Sequence, residues 1–125
     1  MGANTQDYLE FVKEQLGLLP GLSSKPFFGG VALYAGPVQF AMVMDQTLYF
    51  VVDERTRPAY EGMGSRPFGY QTKKGWVDVK KYFEVPGDLL EDTERLQTLA
   101  QEAIRAAQAA KANPAKRGKT TRGTR

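Results

Sequence analysis

The sequence contains neither cysteine nor histidine. Without thiols there is no disulfide, no thiolate nucleophile and no Cys/His zinc site. Without imidazole there is no histidine general base and no ordinary switch near neutral pH. Catalysis would have to rest on carboxylates, Lys, Tyr, Ser and Thr, and no pair of these nominates itself. The reading is non-enzymatic, with no cofactor and no metal site. The acidic group Glu91, Asp92 and Glu94 is explained by its place at a helix start, where the dipole favours negative charge. Long hydrophobic runs are missing too: Phe40 to Met44 and Leu48 to Val52 are strand-length, far short of a membrane span. Met1 to Asp7 lacks the basic-then-apolar pattern of a signal peptide. Position 6 is Gln, where myristoylation needs Ser or Thr. A cytoplasmic protein with no membrane partner is expected.

What is present is enough for one domain. The chain has 125 residues, of which 42% are apolar, so a single packed core is expected. Its net charge of +3 is unevenly spread. Lys111, Lys116, Arg117, Lys119, Arg122 and Arg125 give the last 15 residues six basic groups and no acid. Residues 1–110 hold 11 basic and 14 acidic groups, a net of −3. The basic pI therefore belongs to the tail and not to the domain surface. The expected organisation is a folded domain over 1–111 and a disordered basic tail over 112–125, which has no apolar anchor.

Tyr8, Leu9, Val12 and Leu16 fall at helical spacing, which predicts an amphipathic helix over residues 5–16, capped by Asn4 or Thr5 and ended by Gly17. Leu18 to Leu22 reads as an apolar connector and Ser23 to Pro26 as a polar turn. Phe27 to Val52 then reads as three apolar strands broken at Ala35-Gly36-Pro37 and Asp45-Gln46. Gly29-Gly30 inside the first strand suggests a bulge or a close backbone approach, the alternative being a ligand-contacting backbone. Strands two and three are apolar at nearly every position. Both faces are therefore expected to be covered, the second by a long helix, a dimer partner or a ligand. Asp53 to Gly62 predicts a short helix whose cap is either Asp53 or Thr56, because Pro58 lies one turn in from Asp53.

Phe68 to Thr72 and Trp76 to Phe83, joined by Lys73-Lys74-Gly75, give a hairpin signal with a basic tip. Interleaved Tyr70, Trp76 and Tyr82 with Lys73, Lys74 and Lys80 make a candidate nucleic-acid platform. Adjacent Lys80 and Lys81 point to opposite faces unless a bulge intervenes, and edge lysines also block aggregation. Leu96, Leu99, Ala100, Ala103, Ile104 and Ala107 predict a final helix capped by Asp92 and stopped by Asn113-Pro114.

Phe27 to Tyr34, then Phe40-Ala41, Leu48-Tyr49-Phe50, Asp53-Glu54 with Arg57 and Tyr60, Gly64-Ser65 with Pro67-Phe68, and Tyr82 with Val85-Pro86 form an ordered set. The set resembles the N-terminal domain of the TfoX/Sxy family of competence regulators, over Thr5 to Ala110. The family usually has Met where Phe27 stands and Gly where Ala32 stands. The resemblance implies an α+β fold, a two-layer sandwich of helices on an antiparallel sheet in the order α-β-β-β-α-β-β-α, which the residue patterns give independently. It gives Phe28, Gly29, Gly30, Tyr34, Asp53, Pro67 and Phe68 a mainly structural role and supplies no catalytic residues. It further implies transcriptional regulation of DNA uptake, acting with a cyclic-AMP receptor protein in full-length members. Those members carry a second helical domain where this chain has its short basic tail, so a stand-alone form is expected. The leading expectation is a regulatory, protein-interaction domain with a partner in the transcription machinery, able to homodimerise through its sheet or last helix. The alternative is a nucleic-acid accessory protein that binds weakly and without sequence preference through Lys116, Arg117, Lys119, Arg122 and Arg125 and through the hairpin lysines.

Overall fold

The computed structural model describes residues 6–112. The candidate caps Asn4 and Thr5 and the tail cations from Lys116 onward lie outside that range. Helix α1 (Gln6–Gln15) leads into strands β1 (Leu22–Phe27), β2 (Gly30–Ala35), β3 (Val38–Met44) and β4 (Thr47–Val51). Helix α2 (Arg57–Gly62), strands β5 (Pro67–Thr72) and β6 (Gly75–Glu84), a 3-10 turn over Gly87–Glu91 and helix α3 (Thr93–Ala112) complete it. The six strands form one antiparallel sheet in the order β1-β2-β3-β4-β6-β5. This is the α+β class expected, with one strand more than the sequence patterns give.

The extra strand is β1. Its residues are polar and include Pro26, which made them read as a turn. In the fold they form an edge strand paired only with β2, where a missing N–H and a polar outer side are tolerated. The turn that closes β1 on β2 is Phe28-Gly29, both with positive φ (47° and 83°), the geometry of the primed turns that suit hairpins. Gly29 therefore turns the chain instead of bulging it. Gly30 makes the close approach: a Cβ there would lie 2.4 Å from the Val43 carbonyl oxygen. The bulge sits elsewhere. Leu33 faces Ala41 while Tyr34 faces Gln39, so Phe40 is the extra residue on β3.

That bulge explains much of the unbroken apolar pattern. Phe40 and Ala41 both turn toward the helices, where Phe40 meets Phe50 with centroids 6.0 Å apart. Phe50 pairs with Phe83, and Phe83 meets Tyr60 of α2 at 6.1 Å. Helix α3 lies across β3 and β4. Its buried stripe of Leu96, Leu99, Ala100, Ala103, Ala106 and Ala107 is small enough toward its end for close contact with the sheet. Helix α1 docks beside it, the Gln15 amide donating to the Leu90 carbonyl (2.6 Å) and the Gln97 amide to the Gln15 carbonyl (3.2 Å). Asp92 caps α3 as expected, with the Arg95 N–H reaching its carboxylate at 3.3 Å. No helix among the described residues is long and apolar enough to cross a membrane.

Candidate interaction surface

The motif residues separate by role once placed. Phe28 is 88% exposed at the tip of the β1–β2 turn, and its ring touches only the edge of Phe27 among the ring contacts (4.8 Å). Its side chain contributes little packing. A phenylalanine in the left-handed region is uncommon, because the residues that tolerate it are Gly, Asn and Asp. The chain thus holds a large apolar ring in water at a position that a small polar residue would fill better.

Asp53 and Thr56 settle the open boundary of α2 between them. The Asp53 carboxylate accepts from the Thr56 N–H (3.0 Å), the Arg55 N–H (2.9 Å) and the Thr56 hydroxyl (3.3 Å). The Thr56 hydroxyl in turn accepts from the Asp53 N–H at 3.0 Å, a reciprocal capping pair one turn ahead of the helix. Partial burial pushes the Asp53 carboxyl up, but the bonds from Thr56 and Arg55 outweigh it and hold the group below the usual range. Pro58 then falls in the first turn of α2, where it is accepted. Nearby, the Arg57 Nε is buried without a hydrogen-bond partner.

On the sheet face away from the helices, Tyr34, Gln39, Met42, Tyr49, Val51 and Tyr82 share one side by register. The rings do the covering that the sequence left open. Lys25 lies over Tyr34 at 5.1 Å, the Gln39 amide donates to the Tyr82 hydroxyl at 3.1 Å, and Tyr49 meets Phe68 edge-on at 5.3 Å. Beneath them Met42 is 1% exposed. Burial raises the Tyr82 phenol, with Tyr34 beside it adding to the shift; burial likewise raises Tyr49, helped by Glu84 and Asp45. Tyr34 and Phe68, named from the sequence, belong to this layer. Pro67 starts β5 opposite Phe83.

The β5–β6 hairpin continues past the sheet. Only Tyr82, Phe83 and Glu84 of β6 pair with β4, whereas Gly75 to Val79 pair with β5 alone. Between these two sections the register slips, since Pro67 faces Phe83 and Phe68 faces Val79; the slip falls at Lys80 to Tyr82. Lys73, Lys74 and Lys80 are all exposed along this ribbon. Trp76 is 62% exposed and lies against Gly69, where a Cβ would come within 2.5 Å of the indole. Its N–H donates to the Asp78 carboxylate at 2.8 Å. Tyr70 is 47% exposed and shares the ribbon's other side with Phe68, centroids 6.2 Å apart. The structure thus brings Lys73, Lys74 and Trp76 together at one end of the ribbon and leaves Phe28 at the opposite edge of the sheet.

The alternation of β5 and β6 made the hairpin legible in the sequence. The tyrosine layer was not: its signal was Tyr34, Tyr49 and Tyr82 at strand positions, and only the register shows that they share a face. The description of the TfoX N-terminal domain matches residues 14–107, which is most of the chain, so the protein belongs to the TfoX N-terminal domain family. No curated protein matches it.

Proposed function

With membership in that family as the premise, we propose that the domain is a non-enzymatic regulatory module that works by binding another protein, a component of the transcription machinery. The observation that carries this reading is Phe28. An exposed apolar ring kept in a strained backbone conformation weakens the fold and gains little from packing, which is the pattern of a contact residue and not of a core residue. Aromatic anchors of this kind dominate the energetics of protein interfaces. The missing Cys and His support the non-enzymatic part. Control of competence is the specific setting that the family suggests, in the cytoplasm where transcription proceeds.

The test uses Phe28→Asn, which places the favoured Asn-Gly pair in the turn and so keeps the hairpin. Cross-linking in cell lysate should recover a transcription protein with the wild-type chain and about tenfold less of it with the variant, at an undiminished Tm. Light scattering on the purified chain separates this from self-association. Equal recovery by the variant, or a chain that captures no partner, sinks the proposal.

A further inference from the structure

We propose that the projecting β5–β6 hairpin binds single-stranded nucleic acid, with Trp76 as a base-stacking platform and Lys73 and Lys74 as phosphate contacts. Positive charge gathers on this ribbon. From Pro67 to Glu84 there are four basic side chains (Lys73, Lys74, Lys80, Lys81) against two acids, Asp78 and Glu84. The rest of residues 1–110 carries seven basic and 12 acidic groups. A ribbon of +2 therefore extends from a body of −5, and a polyanion is drawn to the ribbon while the body repels it.

The aromatic chemistry selects among polyanions. Trp76 is held flat before any ligand arrives: Gly69 gives one ring face a seat without a side chain, and Asp78 takes the indole N–H. The other ring face looks into solvent. A base that stacks there meets a surface whose ordering entropy was spent on folding. Tyr70, on the opposite side of the same two-stranded ribbon, offers a second ring. Stacking needs unpaired bases, since a duplex hides their faces, so the single strand is the ligand that uses rings and lysines together. Asp78 does not oppose this: its carboxylate is engaged by the indole and lies toward the base of the ribbon, away from the Lys73-Lys74 tip. A chain of carboxylates alone would use the lysines but offers nothing planar to the indole face.

Trp76 is the sole tryptophan, so its fluorescence reads the proposed contact directly. The full chain is titrated with a dT oligonucleotide of about twelve residues, a length in the range that one small domain covers. Saturable quenching of Trp76 is expected, with binding that weakens as salt rises. Trp76→Ala, followed by anisotropy of labelled oligonucleotide, should lose about tenfold in affinity, and Trp76→Phe should lose less. Replacing Lys73 and Lys74 by Gln should lower the slope of log K against log salt by about 1.4. Far-ultraviolet circular dichroism checks that each variant is folded. A chain with Lys116, Arg117, Lys119, Arg122 and Arg125 all changed to Gln should bind more weakly and still show the quenching. The proposal fails if oligonucleotide binds without quenching Trp76 and the hairpin variants bind unchanged, which assigns binding to the tail. It fails equally if a duplex binds as tightly as the single strand, if an oligoglutamate peptide gives the same quenching, or if no oligonucleotide binds.

Discussion

The β3–β4 and β5–β6 hairpins are built on one plan, two antiparallel strands joined by a two-residue turn, but one ends in the core and the other in solvent. In β3–β4, residues on both faces are covered: Phe40, Ala41 and Val43 by the helices, Met42 by its own tyrosine neighbours. In β5–β6, the section beyond Val79 toward the tip has no third strand and no helix layer among the described residues, and Tyr70, Trp76 and Val77 stay exposed. Local propensity does not separate the two, because both are rich in aromatic and β-branched residues. What separates them is the neighbour each strand finds, which is a tertiary fact. The difference also divides the work: one hairpin holds the fold and the other is free to hold something else.

The sharpest way to break this contrast is to remove one aromatic from each hairpin. Phe50→Ala in β4 should lower unfolding free energy by about 3–5 kcal/mol, whereas Trp76→Ala should change it by only about 0.5 kcal/mol, both read from urea denaturation. A comparable loss at Trp76 would show that the ribbon belongs to the core. Glycine replacements give a smaller version of the same contrast. Gly30→Val drives a side chain into the Val43 carbonyl and the Met44 sulfur and should cost at least about 2 kcal/mol. Gly69→Ala meets only an indole that can swing out; the domain should keep its Tm and lose the Trp76 emission of the seated ring.

Titration separates the same regions. Burial, with Glu102 close by, pushes the Tyr60 phenol well above its ordinary value; Tyr8, Tyr49 and Tyr82 are raised as well. A phenol with a raised folded pKa contributes stability that is complete below the unfolded value of 10.0 and is lost as pH rises above it. Stability should therefore decline above pH 10, by up to about 1.4 kcal/mol per pH unit for a tyrosine held neutral, and Tyr60→Phe should flatten the decline. Denaturation midpoints from pH 8 to pH 11 check this; an unchanged decline in Tyr60→Phe refutes the assignment to Tyr60. At the first turn the expected effect has the opposite sign. Phe28→Asn should raise stability by about 0.5–1 kcal/mol, because it relieves a strained turn.

The parts of the fold that the sequence made legible are those set by local periodicity. The α3 stripe from Leu96 to Ala107, the Asp92 cap and the Thr72 to Trp76 reversal each sit within a few residues of their own signal. Strand β1 was illegible because its identity depends on β2: Ser23, Ser24, Lys25 and Pro26 have no strand character until Tyr34, Leu33, Ala32 and Val31 pair with them. The Phe28-Gly29 turn was hidden for a related reason, since Phe is an atypical first residue for it. On the outer face the apolar excess posed a real question, but its answer lay in side chains reaching across β2, β4 and β6 and in a one-residue bulge at Phe40. Neither leaves a mark in a linear pattern.

Order of synthesis gives the sheet edges a further meaning. All six strands leave the ribosome before α3, so the face bearing Phe40, Phe50 and Phe83 is complete for a time without its last cover. Nascent sheets in that condition recruit one another edge to edge. Here the first edge carries Pro26 and the last edge begins with Pro67, residues that donate no N–H to an added strand. Prolines at the two borders thus disfavour strand addition during the interval before α3 emerges.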